Sequence, residues 1–318
     1  MLTNSILIIG GFFLLIKGAD YLISGASSLA RTLGVSALVV GLTVVAFGTS
    51  APELFVNIIA TVKGTTDIAI GNVLGSNLAN MLLILGVAAM FAPLTLQGNT
   101  VWKEIPFSLL AALLVLIFGS DILLDGGLVN VLTRTDGIAL LAMFFLFIVY
   151  TFGIRHNGGP SEEKIDLLPV WKSVVFILGG LAALGIGGKL VVDGATHIAF
   201  ALGVSANLIG LTIVALGTSL PELVTSITAA RKRHMDLAIG NVVGSNIFNI
   251  FFVLGISAVL RPLPFGGANL TDAFAVVIAT FLLFLMLFIG QKYVIERWTG
   301  ITLICMYVGF MAFAVLRG

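Results

Sequence analysis

Charge is what this chain has least of. Only 10% of its 318 residues are Asp, Glu, Lys or Arg, against roughly a quarter in soluble domains. So little charge excludes an ordinary water-facing surface. A net charge of +1, with the basic residues scattered, excludes a nucleic-acid footprint. Cysteine is nearly absent: Cys305 stands alone, which rules out an internal disulfide, and its late apolar run makes it a packing residue rather than a reactive thiol. The three histidines, His156, His197 and His234, lack metal-ligand spacing. No Ser–His or HExxH pattern accompanies any acid, so the chain is expected to be neither an enzyme nor dependent on a cofactor.

What is abundant is apolar sequence, at 59% hydrophobic residues with a mean hydropathy of +1.16. A helix needs about 20 apolar residues to cross a bilayer. Stretches of that kind lie near 4–28, 36–62, 68–91, 103–120, 134–154, 170–194, 205–230, 237–260, 272–290 and 298–316. Turn residues part them: Pro93, Asp125-Gly126-Gly127, and Pro262 with Pro264. The first run has no basic residue ahead of it and no cleavage site behind, so it reads as a retained span rather than a signal peptide. The expectation is an all-α polytopic membrane protein of ten transmembrane helices.

Alternate connections carry Arg31, Lys103, Arg155, Lys164, Lys172, Arg231, Lys232, Arg233, Lys292 and Arg297, while the opposite side has only Lys63, Arg134, Arg261 and Arg317. By the positive-inside rule both termini are extracytoplasmic, with the polar stretch at mid-chain in the cytoplasm.

The chain also repeats itself. Shifted by 169 positions, residues 34–86 match 203–255 without a gap, with 30 of 53 positions identical. An odd number of spans per repeat makes the second copy enter the membrane the opposite way round. The expected organisation is therefore two inverted five-helix repeats, 1–154 and 170–318, joined by a cytoplasmic linker at 155–169. A pseudo-two-fold axis in the membrane plane would set Glu53 and Glu222 face to face near the midplane.

Each acid stands in a matched motif, Gly48-Thr49-Ser50-Ala51-Pro52-Glu53 and Gly217-Thr218-Ser219-Leu220-Pro221-Glu222. A carboxylate inside a bilayer is costly and faces a cavity or a partner. The intramembrane bases Lys17 and Lys189 each have a nearer acid on their own helix, Asp20 and Asp193, which leaves the glutamates for a mobile cation. Pro52 and Pro221 carry no N–H, so they free the carbonyls of Gly48 and Gly217 and loosen the turns at Thr49 and Thr218. Carboxylate, carbonyl and the hydroxyls of Ser50 and Ser219 form an oxygen set suited to hard ions such as Ca²⁺ or Na⁺.

A second matched motif follows, Gly71-Asn72-Val73-Leu74-Gly75-Ser76-Asn77-Leu78-Ala79-Asn80 and Gly240-Asn241-Val242-Val243-Gly244-Ser245-Asn246-Ile247-Phe248-Asn249. Its four glycines read more simply as helix-packing positions. Ser76 with Asn80, and Ser245 with Asn249, share a helix face that could complete an oxygen cage. Interhelical hydrogen bonding is the competing reading for every Asn in it.

With both motifs complete in both copies, the chain resembles the calcium/cation antiporter superfamily, of the sodium/calcium exchanger type in its small prokaryotic form. That resemblance implies a central Ca²⁺ site from Glu53, Glu222 and the carbonyls of Thr49 and Thr218, with Na⁺ sites drawing on Ala46, Ser50, Ser76, Ala215, Ser219 and Ser245. Asn80 matches an amide of the family's central layer; Asn249 stands where several exchangers carry aspartate. The implied action is exchange of Ca²⁺ for Na⁺ by alternating access in the plasma, or cell inner, membrane. Spans 1 and 6 would slide past the rest, helped by Gly10, Gly11, Gly18, Gly179, Gly180, Gly185, Gly187 and Gly188. The partners are the two ions and the lipid bilayer, with no protein partner required. Ca²⁺/H⁺ exchange is the nearest alternative, since paired acids can share a proton, and a passive cation channel is a more distant one.

Overall fold

The computed structural model describes residues 2–153, 167–203 and 215–317. Eleven helices carry the described chain: α1 Leu2–Leu33, α2 Ala37–Thr49, α3 Ala51–Lys63, α4 Thr66–Phe91, α5 Thr100–Phe118, α6 Arg134–Gly153, α7 Val170–Ala201, α8 Leu220–Arg231, α9 Met235–Leu260, α10 Gly267–Met286 and α11 Arg297–Arg317. Eight of them are long and apolar enough to cross a membrane; α2 and α3, bent by 45° at Ser50, make a ninth candidate. The expected span at 205–230 falls partly on 204–214, and the linker largely on 154–166, both outside the described residues.

Helix is not quite the whole of it. Leu94–Thr95 pairs antiparallel with Val294–Ile295, and Val131–Leu132 with Leu263–Pro264. Each two-residue ladder joins a loop of one half of the chain to a loop of the other.

Burial divides the helices. The spans α4 and α9 are 78% and 83% buried, against 22–39% for the remaining long ones. These two therefore form the axis of the bundle, while the others show an apolar flank outward, as a bilayer requires. Gly240 and Gly244 let α9 reach α2: a Cβ on them would sit 2.9 Å from the Leu38 carbonyl and 2.8 Å from the Ala46 Cβ. Packing is thus the role of these two, whereas a Cβ on Gly71 or Gly75 would meet nothing within 4 Å among the described residues.

α1 and α7 run antiparallel along a glycine seam of seven-residue spacing. A Cβ on Gly11 or Gly18 would lie 2.7 or 2.8 Å from the carbonyls of Gly187 or Gly180, and the reverse substitutions meet the same backbone at 2.7 Å. Small residues at such a seam let two backbones touch. The sequence suggested that these glycines ease the pair past its neighbours. Instead, Gly11, Gly18, Gly180 and Gly187 bind α1 and α7 to each other, and only Gly188 faces Pro221, with its ring carbons 3.8 Å from a Cβ there. A smaller apolar cluster, with Leu15, Leu22, Ile177 and Leu184, joins this pair to Val40 and Val45 of α2.

Two further expectations change. Asp20 pairs with Lys232 at 3.0 Å rather than with Lys17, since Lys232 arrives from the far end of α8; Lys189 does pair with Asp193, at 2.9 Å. Cys305 is exposed on α11 and not packed inside the bundle.

Candidate cation site

Both glutamates begin a helix. Ser50 (φ −85°, ψ 6°) precedes α3, and Ser219 (φ −87°, ψ 5°) precedes α8, so each chain breaks and restarts with proline in the first positions of the new helix. The cause is chemical: Pro52 and Pro221 offer no N–H, and the amide ladder resumes at Leu54 to Ser50 (3.2 Å) and Leu223 to Ser219 (3.0 Å). Glu53 and Glu222 thereby sit in the first turns, at the electropositive ends of α3 and α8.

The two breaks meet. Ser50 donates to Glu222 Oε1 at 2.9 Å and Ser219 to Glu53 Oε1 at 3.4 Å, so each acid is held by a hydroxyl from the other half. Ser76 reaches Glu53 Oε1 and Ser245 reaches Glu222 Oε1, both at 3.5 Å, and Ser219 lies 3.3 Å from Ser76. Glu53, Glu222, Ser50, Ser76, Ser219 and Ser245 are all buried.

Beyond them, α4 and α9 cross through four asparagines. Asn80 donates to Asn246 Oδ1 (2.9 Å) and Asn249 to Asn77 Oδ1 (3.3 Å), while Asn77 and Asn246 donate to each other's carbonyls at 3.3 and 3.4 Å. Both Asn80 and Asn249 lie in stretches of π-helical winding, Ala79–Ile84 and Phe248–Leu254. Such a widened turn re-aims a side chain and recurs at functional sites.

Four oxygens of this centre are left unused. Glu53 Oε2, Glu222 Oε2, Asn80 Oδ1 and Asn249 Oδ1 are buried and have no hydrogen-bond partner. All four are acceptors, and an orphaned buried acceptor costs about 1–3 kcal/mol unless something electropositive meets it. No nitrogen base forms an ion pair with either acid among the described residues. Nor does any group of three or more His, Cys, Asp or Glu gather among them, so the site combines two acids with neutral oxygens. A cavity of about 330 Å³ flanks it, lined by Phe47, Thr49, Pro52, Phe55, Leu184 and Pro221.

Of the other expected ligands, Thr49 and Ala46 are buried beside the first break. The Ala46 carbonyl already accepts the Ser50 amide at 3.0 Å. Thr218 ends the turn Ala215–Thr218, and Ala215 opens it at the edge of the described residues. Sequence reasoning passed over Asn57 and Ser226, buried one helical turn beyond each glutamate. A polar residue four positions on from each acid in an apolar helix was the available signal.

An all-helical polytopic membrane protein with a buried, oxygen-lined centre fits the secondary transporters, and comparison with known proteins narrows the class. A family profile described as sodium/calcium exchanger protein matches residues 3–153 and 172–316. The chain is 35% identical over 342 residues, 97% of each protein, to the sodium/calcium exchanger MaX1 of Methanosarcina acetivorans. It is 38% identical over 277 residues to the inner membrane protein YrbG of Escherichia coli, covering 82% of this chain and 81% of that one. A solved structure of the sodium-calcium exchanger NCX_Mj, soaked with 2.5 mM Na⁺ and 0.1 mM Ca²⁺, superposes with a TM-score of 0.84 at 33% identity over 98% of both chains. The protein belongs to the sodium/calcium exchanger family and is thus a cation antiporter of the membrane.

Proposed function

We propose that the protein exchanges Ca²⁺ for Na⁺ by alternating access at one central site, whose ligands are Glu53, Glu222, Asn80, Asn249 and the carbonyls of Thr49 and Thr218. Na⁺ would draw also on Ser50, Ser76, Ser219, Ser245, Ala46 and Ala215. The observation that carries this reading is the set of four orphaned buried oxygens, two carboxylate and two amide. Ca²⁺ takes six to eight oxygens, and the two carbonyls would bring this set to about six. Two carboxylates supply the charge that one Ca²⁺ neutralises, whereas Na⁺ must load in greater number to reach the same balance. The names of MaX1 and NCX_Mj support the same pair of ions.

The architecture that goes with it is ten spans in two inverted five-helix repeats, 1–154 and 170–318, with the linker 155–169 in the cytoplasm and both termini outside the cell inner membrane. What supports inversion is reciprocity: Ser50 serves Glu222 and Ser219 serves Glu53.

Radiolabelled calcium uptake into proteoliposomes at clamped pH tests the reading. An opposing Na⁺ gradient should drive Ca²⁺ in, and Glu53→Ala or Glu222→Ala should abolish it. Uptake that follows a pH gradient and ignores Na⁺ would transfer the protein to Ca²⁺/H⁺ exchange, and uptake needing no counter-ion would make it a channel.

A further inference from the structure

Around the site, two asparagines do more than pack. The Thr49 hydroxyl lies 2.9 Å from Asn241 Oδ1, nearer than to its own helix carbonyls of Val45 (3.1 Å) and Ala46 (3.3 Å). The amide nitrogen of Asn241 in turn donates to the Ser226 hydroxyl (2.9 Å) and to the backbone carbonyl of Glu222 (3.4 Å). Because a carbonyl only accepts, the Glu222 contact fixes which end of the Asn241 amide faces Thr49. In the other half, Thr218 lies 3.5 Å from Asn72 Oδ1, and Asn72 donates to Asn57 Oδ1 (2.7 Å) and the Glu53 carbonyl (3.5 Å). Asn57 is itself oriented by donating to the Ala69 carbonyl at 3.0 Å.

Each chain of bonds runs from the broken turn of one half, through an asparagine, to the backbone of the glutamate of the other. We infer that Asn241 and Asn72 are positioning residues: straps that hold the turns at Thr49 and Thr218 against the opposite glutamate and so fix the ion-facing carbonyls without touching the ion themselves. The straps are unequal. The Thr49–Asn241–Ser226 strap is short at its threonine and fully buried at Asn241 and Ser226, whereas Asn72 is half-buried and holds its threonine at 3.5 Å. Geometry at the first break therefore depends more on its strap.

The inference rests on the central cation site, and its test reads ion binding separately from transport. Ca²⁺ dissociation constants are measured by calorimetry on the purified full chain, beside Na⁺-driven uptake. Thr49→Val keeps volume and backbone carbonyl while deleting the hydroxyl. It should weaken Ca²⁺ binding about 10-fold, the order of one lost hydrogen bond. Thr49→Ser should restore wild-type affinity, Thr218→Val should cost only about threefold, and Thr49→Val should add nothing to Asn241→Ala. Wild-type affinity in Thr49→Val, or additive losses in the double variant, would overturn the strap. Should Thr49→Val fail to fold, Ser226→Ala reads the same chain of bonds from its far end: about threefold weaker Ca²⁺ binding supports it, and no change sinks it. Wild-type protein that binds Ca²⁺ but shows no Na⁺-driven uptake would remove the exchange reading while leaving the straps to stand or fall on calorimetry.

Discussion

The two halves agree at the paired glutamates and differ in how the helices around them are fastened. From Gly48 to Glu53 and from Gly217 to Glu222, every position but one is identical, and the serines and asparagines that follow are shared one for one. One turn further out Asn57 answers to Ser226. On the long helices Asp20 answers to Lys189 and Ser24 to Asp193. At the rim, α5 is tied to α6 by the Tyr150 hydroxyl donating to buried Glu104, while α10 is tied to α11 by an Arg317–Asp272 ion pair at 2.9 Å. A cation site of the kind proposed tolerates few donor types at few distances, which accounts for the matched oxygens; fastening one helix to another can be done by many pairs, so the fasteners drift.

The comparison can be broken most severely at the acids. Glu53→Gln and Glu222→Gln should each lower Na⁺-driven uptake by about 100-fold or more, equally within error, since each removes one of two charges from a desolvated site. A large gap between the two would mean that the halves are not equivalent toward Ca²⁺. Next in size, Asn249→Asp adds a carboxylate to the central layer. It should tighten Ca²⁺ binding by about 10-fold in calorimetry, on the scale of one added charge-assisted contact, and unchanged affinity would place Asn249 outside the ion's reach.

A smaller effect is expected at the α1 contact. Lys232 bonds Asp20 Oδ1 (3.0 Å), the Asp20 carbonyl and Ser24 (both 3.3 Å), whereas Lys63, its equivalent, has no ion pair among the described residues. The pair is partly exposed, so Lys232→Ala should change the ratio of forward to reverse exchange by only about 2–3-fold, and Lys63→Ala should not change it. Equal effects would show that the charge reversal at Asp20 and Lys189 is idle. Least of all, Tyr150→Phe should lower the melting temperature by a few degrees, roughly 1 kcal/mol for a lost hydrogen bond that strands Glu104, without altering ion affinity.

Much of this was legible in the residues. Eight of the ten expected spans and a bent ninth follow from apolar length, and the helix breaks at Ser50 and Ser219 from proline chemistry. The division among the asparagines was not legible, because Asn72, Asn77, Asn80, Asn241, Asn246 and Asn249 stand on the same two helices with the same chemistry. Only the crossing of α4 and α9 decides which amides bond each other and which leave an oxygen over. Nor could the partner of Asp20 be read from i+3 spacing, since a lysine more than two hundred positions away reaches it.

The seam between α1 and α7 works as a rack with teeth seven residues apart. A partial slip would drive side chains into the backbone that Gly11, Gly18, Gly180 and Gly187 leave bare, so the next free register lies a whole tooth away, about 10 Å along the axis. The two helices are therefore geared to travel as one piece. Under the alternating access proposed above, the displacement would be taken up on the other flank, where Leu181 lies against Gly48 and Gly188 against Pro221, beside the broken turns themselves.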